Sequence, residues 1–157
     1  MKSAPLLKTL AASLLLCTLT LVAAAQSQDK GYWRAASNTA RSITGDVSLG
    51  DEKIIINFVG FPMVKARTLE KAEISALFDV DSTATGDGAL YHLTVPAAKK
   101  FLNKNTLCGA EDTQWMVTYA SGKSMRLALF SGQKAPVFTF NAISNSTDLC
   151  GTFEYVR

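Results

Sequence analysis

The strongest constraint in this chain is a pair of cysteines in matching contexts, bracketing a stretch of strand-like sequence. Cys108 sits in Asn105-Thr106-Leu107-Cys108-Gly109 and Cys150 in Asp148-Leu149-Cys150-Gly151-Thr152, so each reads as a small polar turn followed by Leu-Cys-Gly. A bond between them closes a loop of about 43 residues and restricts the unfolded chain by roughly 4 kcal/mol. For a small domain that is a large share of the total stability. The alternative, a redox couple or nucleophile, lacks both a C-x-x-C spacing and a histidine nearby in sequence. The pair is therefore expected to be a structural disulfide.

The start of the chain says where such a bond could form. Residues 6–25 carry Lys8 as their only charge, with an apolar core at Leu14 to Leu16 and Leu21-Val22 and Ala23-Ala24-Ala25 offering a cleavage site. This is the pattern of a secretory leader, and its apolar part is too short for a stable membrane anchor. Cys17 follows three leucines rather than the small residue expected before a lipidated cysteine, so it is read as part of the leader. A leader over 1–25 and one domain over 26–157 follow, with a periplasmic or secreted destination where disulfides persist. Of 16 basic residues the leader takes Lys2 and Lys8, leaving 14 against 13 acidic ones. That balance gives no reason to expect a nucleic-acid partner.

Within the domain the dominant period is two. Ile43, Gly45, Val47 and Leu49 alternate with polar residues, and 53–59 is a continuous β-branched run ended by Gly60-Phe61-Pro62. Tyr91, Leu93 and Val95 alternate again. Trp115-Met116-Val117-Thr118-Tyr119 and Met125 to Phe130 flank the turn Ser121-Gly122-Lys123, as in an antiparallel hairpin. Val137 to Phe140 and Thr152 to Val156 supply two more strands. Segment 65–78 fits helix or strand, and alternation at Ala72, Ile74, Ala76 and Phe78 favours a strand over 72–80. Residues 97–103 read as two turns of helix after Pro96. The expected fold is all-β, a small antiparallel barrel or sandwich of about seven to nine strands with one short helix and one disulfide. Sequential hairpins favour the barrel.

Chemistry-bearing patterns are sparse. His92 is the single histidine and falls on the polar side of its strand, where a surface or hydrogen-bonded role is expected. Asp79, Asp81 and Asp87 give the loop 79–88 hard oxygens for calcium. Ala84 stands where an EF-hand loop needs glycine, however, and a solvated loop is the favoured reading. Asn145-Ser146-Thr147 matches a glycosylation sequon, which matters only in a eukaryotic source. No catalytic motif is found, and no metal or other cofactor is expected. Trp33, Trp115 and Tyr119 are the candidate binding aromatics, set against the ordinary expectation that strand aromatics form the core.

Thr44-Gly45-Asp46, Asn105 to Gly109, Met125 to Gly132 and Cys150 to Tyr155 together resemble small exported proteobacterial proteins of uncharacterised function. The resemblance covers most of the domain and implies the periplasm or the cell exterior. Gly31-x-Trp33 near the start, with Arg157 at the end, is similar to lipocalin-like barrels, in which an early tryptophan packs under a late arginine. That likeness implies a small apolar ligand inside the barrel.

The leading functional expectation is a non-enzymatic binding protein, an inhibitor or accessory factor acting on another exported or host protein. Bacterial inhibitors of host lysozymes and proteases share this general build, an analogy of fold. The alternative is a carrier of a small apolar ligand; an enzyme ranks third.

Overall fold

A computed structural model describes residues 27–157. The expected leader over 1–25, Cys17 included, lies outside the described residues. Eight strands form a closed antiparallel barrel in sequence order: β1 Gly31–Ala35, β2 Val47–Leu49, β3 Lys53–Ile56, β4 Val59–Leu69, β5 Asp87–Val95, β6 Thr113–Ser121, β7 Ser124–Phe130 and β8 Leu149–Val156. Closure comes from β1, which pairs with β2 through Gly31–Trp33 and with β8 through Arg34 and Ala35. The barrel is therefore the form taken, and the sandwich is not.

Alternation divides the strands between two cores. Inward-facing Trp33, Leu49, Ile54, Tyr91, Leu93, Met116, Met125, Leu127, Phe153 and Tyr155 fill the interior, none more than 2% exposed. A second cluster lies outside the sheet, where Leu90, Val117, Tyr119, Ala128 and Phe130 are covered by Ile74, Leu77, Phe78 and Phe138. The long strands β5 to β7 are thus apolar on both faces, as strands buried on both sides must be.

The cover over the outer face corrects the strand expected at 72–80. Lys71–Phe78 is a helix, α2, in the structure. Glu70 and Glu73 make a reciprocal capping box at its start, and Asp79 closes it in the left-handed conformation. Ile74, Leu77 and Phe78, spaced at the helical period, are the residues it buries. Gly88 on β5 admits this contact: a Cβ there would stand 2.7 Å from the Ile74 side chain.

Four other expectations change. Residues 43–49 are not one strand; Asn38–Ile43 is a short helix, α1, capped by the Ser37 hydroxyl, and only Val47–Leu49 pair. The run 53–59 is broken by a two-residue turn at Asn57-Phe58, with Ile56 paired to Val59 across it. Val137 to Phe140 is not a strand, because β6 and β8 already occupy both edges of β7. Phe138 instead plugs against Phe130, and Thr139 caps a third helix, α3, Phe140–Ser144. Over 97–103 the expected helix reduces to a 3₁₀ turn at Leu102–Lys104, since Asn103 and Lys104 take positive φ and Phe101 turns inward onto Phe61.

The bond expected between Cys108 and Cys150 is present, with Cα atoms 4.9 Å apart. It ties the loop before β6 to the first residues of β8. The sulfurs pack against the interior cluster.

Candidate functional site

The sequence-derived aromatics do not come together. Trp33 is wholly buried in the barrel interior. Trp115 is half-buried on the outer face, with the exposed His92 ring edge-on to it at 4.8 Å between centroids. Tyr119 is buried beneath α2, stacked on Phe78, and its hydroxyl donates to the Thr85 carbonyl at 2.9 Å. Nor are Asp79, Asp81 and Asp87 gathered. Asp79 is the cap of α2, and Asp81 accepts from the Thr83 backbone N–H and hydroxyl, both at 2.7 Å. Among the described residues no cluster of three or more His, Cys, Asp or Glu side chains could hold a metal.

Trp33 belongs to a latch that seals one end of the barrel. Its indole N–H donates to the Asp29 carbonyl at 2.8 Å, and the Arg157 guanidinium lies over its ring. The Asp29 carboxylate, 2% exposed, accepts from the hydroxyls of Tyr91 and Thr118 at 2.7 Å and from that of Ser27. Burial pushes the Asp29 carboxyl up. The bonds from Ser27, Tyr91 and Thr118, with Lys30 nearby, outweigh burial and hold it below its usual range. Burial, reinforced by the bond to Asp29, raises the Tyr91 phenol. Lys30 completes the latch, its ammonium 4.9 Å over the Tyr91 ring and bonded to the Gly50 carbonyl. This buried carboxylate is fully engaged, so the latch is a structural device.

The site that packing does not explain lies on the outside of β1 to β3, the part of the barrel that α2 and α3 leave bare. A groove of about 280 Å³ there is lined by Tyr32, Asp46, Ser48, Ile55, Phe58 and Leu102 among others. Tyr32 and Phe58 are 58% and 98% exposed. Phe58 is the second residue of the β3–β4 turn, with φ of +64° following Asn57 at +48°. Positive φ at both central residues suits the twist of a two-residue hairpin, and such turns favour Asn followed by Gly. A Phe in that conformation costs on the order of 1–2 kcal/mol through its Cβ, and a ring so exposed gains nothing from packing here.

The polar side of the groove is fixed. The Tyr32 hydroxyl donates to Asp46 Oδ2, and the Ala35 backbone N–H donates to Oδ1 at 2.9 Å. These two bonds hold the Asp46 carboxyl below its usual range, and the same contact raises the Tyr32 phenol. Asp46 is placed by the turn between α1 and β2. There Thr44 anchors the chain through its hydroxyl, 2.8 Å from that of Tyr155, and Gly45 takes a φ of +64°.

Sequence reasoning passed over Tyr32, Asp46 and Phe58. Asn57 was the available signal, a turn-forming residue that the apolar residues on either side concealed. Set against protein-family models, curated proteins and solved structures, the chain matches none of them.

Proposed function

We propose that this chain is a non-enzymatic binding protein of the periplasm or the extracellular space, an inhibitor or accessory factor that docks on another exported or host protein. The observation that carries the reading is Phe58, a large apolar side chain held at φ +64° and 98% exposed. Backbone strain without local packing in return is characteristic of functional positions, and rigid aromatic anchors dominate protein interfaces. The closed barrel supplies a stiff base for the hairpin, so little order has to be gained on docking. The Cys108–Cys150 bond is compatible with an oxidising compartment.

A carrier of a small apolar ligand is the other reading weighed for this fold. It has less support, because Tyr91, Met116, Leu127 and Phe153 present at most 1% of their surface to any void or solvent.

The test is to cross-link a photoreactive phenylalanine analogue at position 58 to its target, purify that target, and measure its affinity for the wild type and Phe58→Gly. The expected loss is 30-fold or more, the scale of an interface hot spot of about 2 kcal/mol. Equal affinity of the two proteins would sink the reading.

A further inference from the structure

We infer that the groove beside Phe58 receives a cationic side chain, lysine or arginine, from the partner protein; this rests on the docking reading above. Two exposed aromatic rings, Tyr32 and Phe58, and a carboxylate, Asp46, line one groove with Ile55 and Leu102. Aromatic faces attract cations through their quadrupole, and the attraction grows as water is excluded. A lysine or arginine stem also suits an apolar wall while its head stays polar.

Asp46 makes the charge choice. Its two oxygens are held by Tyr32 and the Ala35 N–H, so its position is set before any partner arrives. No cation forms an ion-pair contact with it: among the described residues the ion pairs are Arg67–Glu73 and Arg126–Glu154. Arg34 acts on Asp46 electrostatically but does not line the groove. A neutral apolar side chain would strip water from the carboxylate without bringing an opposite charge, which is costly. A cation gains from it. The same fixed negative charge argues against an anionic lipid surface as the occupant of the Phe58 tip.

The inference is tested with acetylated, amidated tripeptides Gly-Arg-Gly, Gly-Lys-Gly and Gly-norleucine-Gly, titrated into the isotope-labelled protein by NMR. The arginine and lysine peptides are expected to shift the Tyr32, Phe58 and Asp46 resonances at least fivefold more tightly than the norleucine peptide. Asp46→Asn, verified as folded by its unchanged core methyl spectrum, is expected to erase that difference. Equal binding of norleucine, or a preference that survives Asp46→Asn, overturns the cationic assignment. So does silence from all three peptides while Phe58→Gly still abolishes target binding, which leaves the docking reading intact. Preferential binding of anionic phosphatidylglycerol vesicles over the peptides would overturn the choice of a protein partner. If Phe58→Gly binds the target normally, the docking reading itself has failed.

Discussion

The Arg157 guanidinium stands 4.3 Å from the centre of the Trp33 ring, joining the last residue of the chain to the first strand. Arg157 also donates from Nη1 to the Lys30 carbonyl at 3.1 Å and from its backbone N–H to Lys123. The two ends of the domain are thus closed onto each other where the barrel has its fewest ladder pairs, between β1 and β8. Arg157→Ala is expected to cost about 1 kcal/mol, the scale of an exposed cation–π contact. Trp33→Ala is expected to cost about 3–5 kcal/mol as a large core truncation. Urea unfolding of both variants measures the ratio. Equal losses would mean that the contact, and not the buried ring, holds the latch.

Asp29 predicts a specific acid limb. Its carboxyl titrates below its unfolded value of about 3.9. Its contribution is therefore complete above about pH 4 and is lost as pH falls through the lower folded value. Asp29→Asn should be less stable than wild type at pH 7 and show a flatter decline as pH falls below about 4. Urea midpoints along that limb provide the check. An unchanged acid limb would assign the acid sensitivity to other carboxyls.

Loss of the disulfide acts mainly through the unfolded chain. Replacing Cys108 and Cys150 together by serine should lower stability by about 2–4 kcal/mol. The barrel register should be retained, which amide protection in β5 to β7 would report. Loss of that protection at equal stability would show a native-state role for the bond instead.

Phe58→Gly should stabilise the free protein. Glycine relieves the left-handed strain but frees the unfolded backbone, so the net gain is about 1 kcal/mol, or roughly 4 °C in Tm. A destabilised variant would mean that the ring packs on the groove in solution. In that case the turn carries no strain available for docking.

Gly88→Val should act on one helix. The new side chain meets Ile74 and displaces α2, at a cost of about 1–3 kcal/mol. Amide exchange in Lys71–Phe78 should rise while β6 and β7 stay protected. Uniform loosening would place α2 within the cooperative core of the barrel.

The best-read part of the sequence was the hairpin of β6 and β7. Its alternation, the Ser121-Gly122-Lys123 turn and the flanking cysteines are local signals that tertiary contacts reinforce. The Asn57-Phe58 turn failed to show because its apolar neighbours carry burial on both sides of the break. Helix α2 failed because Ala72, Ile74, Ala76 and Phe78 alternate as a strand would, within a segment that fits either period. The capping box of Glu70 and Glu73, with the apolar outer face of β5 to β7, decided between them.

By itself the sequence determined a disulfide-tied, all-β domain of short antiparallel strands, because alternation and turn residues act over neighbouring positions. Whereas the packing of Trp33 under Arg157 is what the Gly31-x-Trp33 likeness implied, closure of β1 onto β8 and the split of the aromatics between two cores were decided only by tertiary structure. So was the groove, since Tyr32, Asp46 and Phe58 belong to three separate segments that meet when β1 pairs with β2 and β2 with β3. Periodicity tells which side of a strand is buried; only the paired sheet tells which exposed side chains become neighbours.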